Sequence, residues 1–351
     1  MSGRIRVLVV DDSAIVRQIL ATGLAKDPAI EIVGTAPDAY VARDKIVQLD
    51  PDVMTLDIGM PKMDGIEFLK KLMPQYPIPV VVVSGLAQDG EALMLEALEA
   101  GAVDFVSKAL TEEGTAAMLA TLLAKIKVAA TANLSTWKIR RASSLMRVAA
   151  PSSQTPLGSG KVVAIGASTG GTEALRAVLP RFPVKFPPVL VVQHMPRGFT
   201  TMFADRLNEV CTMEVKEAQS GDSVIEGRIL IAPGDLQMRI VKVPGGYEVQ
   251  CNHENLVNGH RPSVSVLMHS VAKAVGLNAI GVILTGMGGD GADGLLAMRQ
   301  ARGRTLAQDQ ATSIVFGMPD VAFKKGAAET LVPLDEIAER IMDLVHQSPE
   351  R

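Results

Sequence analysis

Short strand-like apolar runs recur along the first part of the chain at 5–10, 30–34, 53–57, 80–84 and 103–106. Each is followed by a helix-like segment in which apolar residues return every three or four positions, near 14–26, 38–48, 65–73, 89–100 and 112–129. This alternation predicts an α/β fold, a doubly wound (βα)5 unit. The rhythm repeats, but no block of residues does. Sheets of this kind carry their ligands beyond the C-terminal ends of the strands. Asp11, Asp12, Asp57, Ser84 and Lys108 all fall at or just past such an end. If the strands ending at Asp11 and Asp57 are neighbours, three carboxylates converge and need a cation. A hard divalent ion such as Mg²⁺, held by oxygen ligands, suits them and also offsets charge on an incoming phosphoryl group.

From 131 to 158 the pattern stops in a stretch of small residues, proline and a basic cluster at Lys138, Arg140, Arg141 and Arg147, which reads as a linker. Trp137, the only tryptophan, lies inside it, either as an apolar anchor on a domain face or as an exposed residue. The expected organisation is therefore an N-terminal domain over 1–130, a linker over 131–158 and a second domain over 159–351.

The second domain opens with an apolar run from Lys161 to Gly166, a glycine-rich turn and a helix-like segment from Thr172. Such a turn presents Ser168 at a helix N-terminus, where backbone N–H groups can receive a developing negative oxygen. The G-x-S-x-G pattern by itself leaves a glycine-rich structural turn or an anion site as alternatives. Later runs change the balance. Val189–Gln193 delivers His194, and the run from Ala279 to Leu284 leads into a glycine-rich loop that carries Asp290. A serine hydroxyl is a poor nucleophile until an imidazole takes its proton, and a carboxylate orients that imidazole. Ser168 as nucleophile, His194 as base and Asp290 as orienting acid fit these roles. Their order along the chain differs from the Ser, Asp, His order of the usual α/β-hydrolases.

Composition narrows the classes. At 351 residues the chain exceeds the size at which single cores stop growing, so two domains are expected. A net charge of −3 with 21% charged residues provides no basic field, and no nucleic-acid partner is expected. Cys211 and Cys251 are too few for a disulfide framework and too far apart for a CxxC motif, so both read as ordinary thiols. The first apolar run lacks a signal-peptide pattern and is far below membrane-spanning length, so no membrane insertion and a cytosolic location are expected.

The motifs together resemble the chemotaxis protein-glutamate methylesterase family, response regulators in which a receiver domain is joined to a C-terminal esterase domain. The receiver pattern matches Asp11 and Asp12 as acidic metal-site residues, Asp57 as phosphate acceptor, Ser84 as the hydroxyl residue, Phe105 as the aromatic switch position and Lys108 as the phosphate-contacting lysine. Met60-Pro61-Lys62-Met63-Asp64-Gly65 fits the loop after the acceptor. The esterase pattern matches the Gly166–Gly171 turn, Gln193-His194-Met195-Pro196 and Gly286–Gly291, with two further blocks at Ile231–Asp235 and Gly259–Ser263. Departures are Ala109 where proline is usual, Gly85 where a second hydroxyl residue is frequent, Gln237 where histidine is frequent, and Ser265 where aspartate is frequent.

The resemblance implies a larger three-layer α/β esterase domain with a mainly parallel sheet. It implies hydrolysis of γ-glutamyl methyl esters on the cytoplasmic helices of methyl-accepting chemoreceptors, with release of methanol, and deamidation of receptor glutamines. Backbone N–H groups near Thr169 and Met287 are the implied oxyanion donors. The resemblance further implies Mg²⁺ for receiver phosphorylation, a chemotaxis histidine kinase as phosphodonor, no cofactor for ester hydrolysis, and association with receptor arrays. His260 and Arg261 are candidates to contact the acidic receptor helix or its carboxylate product, with a structural role in their loop as the alternative. His253, His269 and His346 lack ligand-like spacing, and Asp293 reads as a helix N-terminal charge. Two rivals differ in class. A noncatalytic α/β domain would bind anions at the Ser168 turn without ester hydrolysis, and a DNA-binding output domain would be small, basic and helical.

Overall fold

The computed structural model describes residues 3–85, 90–108, 111–134 and 160–347. Ala109, Trp137 and most of the expected linker lie outside the described residues. The chain divides into two compact units.

In the N-terminal unit, β1 (Ile5–Val10), β2 (Ile30–Ala36), β3 (Val53–Leu56), β4 (Val80–Ser84) and β5 (Asp104–Ser107) form one five-stranded sheet in the order β2-β1-β3-β4-β5. All its pairings are parallel. The helices α1 (Ala14–Leu24), α2 (Ala39–Leu49), α3 (Gly65–Leu72), α4 (Gly90–Glu99) and α5 (Glu112–Ala129) alternate with the strands, as the apolar rhythm predicts. β3 and β4 are buried along their whole length, because helices cover both faces of a parallel sheet. Polar residues start the helices. Ser13, Asp38 and Asp64 each accept a hydrogen bond from a first-turn N–H, which satisfies a donor that the helix itself leaves unpaired.

The C-terminal unit is larger. The strands of its main sheet are β6 (Val162–Ala167), β7 (Val189–Gln193), β8 (Glu214–Glu217), β9 (Arg228–Ile231), β12 (Ala279–Ile283), β13 (Arg304–Gln308) and β14 (Thr330–Val332). They form a parallel sheet in the order β14-β13-β12-β6-β7-β9-β8, and β10 (Gln237–Val243) and β11 (Gly246–Asn252) make a separate antiparallel hairpin. The helices are α6 (Gly171–Val178), α7 (Phe199–Val210), α8 (Val264–Val275), α9 (Ala292–Gln300), α10 (Met318–Lys324) and α11 (Leu334–His346).

Alternate residues of the central strands face opposite layers. Val162, Ala164, Leu190 and Val192 join a core with Leu267 and Met268 of α8 and Leu295 and Met298 of α9. α6 and α11 pack on one another in the other helical layer. Lys161 closes this layer: its buried ammonium donates to the carbonyls of Leu344, at 2.7 Å, and Gln347, the end of α11 where cations are favoured. Among the described residues no helix is long and apolar enough to cross a membrane.

Candidate functional site

Each unit has one polar centre at the C-terminal edge of its sheet. In the N-terminal unit, β1 lies beside β3. The chain order therefore brings Asp11 and Asp12 against Asp57, and ligand oxygens of the three lie within 4.8 Å of one another. Asp11 and Asp57 are buried and Asp12 is exposed. The Lys108 ammonium reaches both buried carboxylates, 2.8 Å from Asp11 Oδ2 and 2.9 Å from Asp57 Oδ1. Burial lowers the affinity of Lys108 for its proton, but hydrogen bonds to Asp11 and Asp57 outweigh it and the net shift is upward. Burial raises Asp11, and the Asp57 charge adds to it, so one shared ammonium leaves Asp11 above its ordinary value. The two shifts agree on the physics: two anions on one cation leave negative charge uncompensated. Three carboxylates are hard oxygen donors, so this set fits Mg²⁺.

Ser84 and Phe105 lie on the two strands beside this centre. Ser84 ends β4, and its carbonyl accepts from the Lys108 N–H at 2.8 Å. Phe105 is buried in β5, with the Lys125 ammonium 5.1 Å from its ring centre. Gly65 has a steric cause, since a Cβ there would lie 2.3 Å from the Asp57 carbonyl oxygen.

In the C-terminal unit, β6 is flanked by β7 and β12. The loops that carry Ser168, His194 and Asp290 therefore leave three adjacent strands. Main-chain bonds tie them together. The Ser168 N–H donates to Thr285 O at 3.0 Å, and the His194 N–H donates to Ala167 O at 3.0 Å. Gln193 Nε2 donates to Ser168 O at 2.9 Å and more weakly to His194 O at 3.3 Å. The Thr285 hydroxyl donates to Thr169 O at 3.0 Å and accepts from the Val315 N–H at 2.9 Å, which holds the peptide after the serine.

His194 Nε2 lies 2.9 Å from Asp290 Oδ2. Its Nδ1 is buried and has no hydrogen-bond partner among the described residues. Asp290 also accepts from Asn258 Nδ2 at 2.9 Å, Ser263 Oγ at 2.8 Å and the Val264 N–H at 2.7 Å, with Ser265 N at 3.3 Å. The carboxylate thus sits on the N-terminus of α8, where negative charge is favoured. Burial would raise its pKa, but hydrogen bonds from His194 and Asn258, the charge of His194 and the Ser263 hydroxyl hold it well below the usual carboxylate range. Asp290 is an anion at any physiological pH.

A second imidazole covers the first. The His260 ring stacks on His194 with centroids 3.7 Å apart and planes 9° from parallel. Burial, with the neighbouring His194 adding to it, pushes His260 down to about 4, so its ring is neutral at pH 7. Gln237 explains its own departure from the family pattern: Nε2 donates to Asn255 O at 3.2 Å and His260 O at 3.0 Å, and Oε1 accepts from the Ser263 N–H at 2.8 Å. Ser265 is likewise engaged, its hydroxyl accepting from Gly291 N at 2.8 Å and Asn258 Nδ2 at 3.2 Å. Arg261 turns to Asp235, at 2.9 Å through Nε, and to Glu254 O at 2.6 Å.

Of the two oxyanion candidates, Thr169 is buried beside α6. Met287 has a half-exposed side chain and a backbone N–H without a partner among the described residues. Cys211 and Cys251 are pushed up to about 12 by burial and stay protonated. His253 and His269 are exposed, His346 Nδ1 lies 2.7 Å from Met342 O, and Asp293 pairs with Lys325 in the first turn of α9. Asn258 and Thr285 complete the site without standing out in the sequence, and Gln193, Gln237 and Ser263, which the family blocks or departures include, turn out to fasten its loops.

Comparison with known proteins adds independent findings. The CheB methylesterase family matches residues 163–341, and the response regulator receiver domain family matches residues 7–120. A protein-glutamate methylesterase/protein-glutamine glutaminase from Syntrophotalea carbinolica is 57% identical over 350 residues, covering 99% of each chain. The protein of the same name from Escherichia coli K12 is 49% identical over 341 residues, 97% of this chain and 96% of its own. A solved structure of the Thermotoga maritima CheB methylesterase catalytic domain is 38% identical with a TM-score of 0.52, covering 53% of this chain and 98% of that one.

Proposed function

The chain belongs to the CheB methylesterase family and carries a response regulator receiver domain, and on that footing we propose that it hydrolyses glutamate γ-methyl esters on chemoreceptor helices through Ser168, under control of phosphorylation at Asp57. The same acyl transfer applied to glutamine is deamidation, which the double name of the relatives carries. The observation that carries the reading is the His194–Asp290 pair, whose loop neighbours on the sheet include the Ser168 turn. A linker over 131–158 separates the two activities in this reading, and the site of action is the cytosolic face of receptor arrays.

The hydrogen bond to Asp290 occupies Nε2, so the Nε2–H tautomer leaves the Nδ1 lone pair as the base. Nδ1 takes the Ser168 hydroxyl proton as Oγ attacks the ester carbonyl, and Asp290 stabilises the imidazolium that forms. The tetrahedral oxyanion is received by the N–H groups of Thr169 and Met287. Collapse breaks the C–O bond to the methoxy group, which takes the proton from Nδ1 and leaves as methanol; an amide substrate loses ammonia instead. Water then attacks the acyl-serine with Nδ1 as base, and Ser168 departs with that proton, leaving glutamate. In the receiver, Asp11, Asp12 and Asp57 would hold Mg²⁺, which supplies charge neutralisation for phosphoryl transfer from a histidine kinase. Lys108 then pairs with the phosphoryl oxygens.

The test is methanol release from methylated receptor membranes by wild type, Ser168→Ala and Asp57→Ala, each with and without a small phosphodonor plus Mg²⁺. Ser168→Ala is expected to lower the rate by orders of magnitude while staying folded, and Asp57→Ala to lose both the acyl phosphate and any phosphodonor effect. Near-wild-type release by a folded Ser168→Ala protein would sink the serine mechanism.

A further inference from the structure

We propose that His260 is a positioning residue for the reaction, a flat neutral ring stacked on His194 that holds the base in register and stabilises its imidazolium form. The inference rests on the reading of His194 as the base and gives His260 a role other than substrate contact. Its basis is geometric. A centroid separation of 3.7 Å with planes 9° apart is face-to-face contact, so one face of the His260 ring is covered by His194.

The surroundings determine what such a stack can do. Among the described residues, the ionisable groups that act on His260 are His194 and Asp290. The Arg261 guanidinium is bound to Asp235 and to the Glu254 carbonyl. A cation at His260 would repel the imidazolium that His194 becomes when it takes the Ser168 proton. A neutral ring instead offers its π-face to that cation. With Nε2 bonded to Asp290, the in-plane rotation of His194 is restrained by the carboxylate, and its tilt is restrained by the ring above it.

The chain invests in the position of this ring. Gln237 is fully buried, and its side chain bonds to Asn255 O, His260 O and Ser263 N, so it fastens the loop on both sides of His260. Val257 and His260 bond reciprocally through their main chains, at 3.1 and 2.9 Å. The next residues, Ser263 and Val264, bond directly to Asp290. One loop thus sets both partners of the base, the carboxylate at its edge and the ring on its face.

The experiment measures kcat and KM for methanol release from methylated receptor membranes by the phosphodonor-treated full chain. The variants are His260→Ala, His260→Leu, His260→Phe and His194→Ala, each with a thermal unfolding midpoint. His260→Ala and His260→Leu are expected to lower kcat on the order of tenfold with KM nearly unchanged, and His260→Phe, which restores a flat uncharged ring, to recover most of the loss. A raised KM at unchanged kcat would make His260 a substrate contact and overturn the proposal. So would wild-type kcat in the leucine variant, or a phenylalanine variant no better than leucine. His260→Phe and His260→Leu both refill the site, so their ratio decides the matter even if the alanine variant unfolds. Activity retained in His194→Ala would instead remove the underlying triad reading, a separate failure.

Discussion

At Asp290 one carboxylate serves both an imidazole and a helix. It orients His194 through Oδ2 and also receives the Val264 N–H at the start of α8. Asp290→Asn should therefore damage two properties. An amide NH2 presented to donors leaves buried N–H groups unpaired, at about 2–4 kcal/mol of stability, and loss of the imidazolium partner should lower kcat on the order of 10⁴-fold. The pH dependence has a definite sign. A carboxyl held below its ordinary range contributes stability that is full above about pH 4 and is lost as pH falls further, so Asp290→Asn should flatten that part of the acid limb in thermal unfolding against pH. Unchanged unfolding and an unchanged rate would deny it both roles. Ser168, His194 and Asp290 could be proposed from the sequence because each follows an apolar run and has a chemical role to fill; the structure pairs His194 with Asp290 and sets the Ser168 turn on the strand between theirs. The roles of Asn258 and Gln237 were not legible, because they depend on partners 32 and 26 residues away, Asp290 and Ser263, and an amide by itself carries no signal of them; Gln237 was visible only as a departure from the family pattern.

Between elements, the decisive contact is the loop after β12 pressed on the turn after β6. A Cβ at Gly286 would lie 2.7 Å from Ser168 Cβ and 2.4 Å from Met318 Sδ, with Met318 fully buried. Gly286→Ala should therefore shift the nucleophile. Overpacking of this kind costs about 1–3 kcal/mol, and a displacement near 1 Å can cost on the order of a hundredfold in rate. A folded variant with wild-type kcat would show that the turn absorbs the methyl group without moving Ser168. The same scale shows what the apolar rhythm can convey. All five strands and five helices of the N-terminal unit were legible within a few residues, because central parallel strands are buried on both faces and read as continuous apolar runs. In the C-terminal unit the rhythm yielded β6, β7 and β12, the three whose following loops carry Ser168, His194 and Asp290. It did not yield β8, written Glu-Val-Lys-Glu at the sheet edge, or β14, three residues long at the other edge. Edge strands face solvent and need no apolar run, and the β10–β11 hairpin lies outside the main sheet altogether.

For the whole molecule, the placement of the two centres constrains control. The acidic site with Lys108 belongs to the N-terminal unit, and the proposed catalytic residues with His260 belong to the C-terminal unit, each on its own sheet. In the proposed function, phosphorylation at Asp57 acts on the centre of the N-terminal unit, whose sheet is separate from the one that carries the proposed esterase residues. A phosphoryl group there would add up to two negative charges and strong acceptor oxygens next to Lys108, and in that reading would bias the arrangement of β4 and β5 around Ser84 and Phe105. Any effect on Ser168 must then pass through the relation between the units, either by lifting a restraint or by creating an activating contact. The C-terminal unit has its own sheet, two helical layers and core, and a homologous catalytic domain has been solved by itself, so it is suited to a truncation test. Restraint by the unphosphorylated receiver, as the family resemblance implies, predicts that deleting residues 1 to about 150, close to the start of the second domain, raises basal methanol release. Phosphorylation of the full chain should raise it as well. The gain on truncation should be the smaller of the two if the receiver also helps to position substrate. A well-folded truncated domain no faster than the unphosphorylated full chain would reject restraint and leave activation through contacts that the phosphorylated receiver makes.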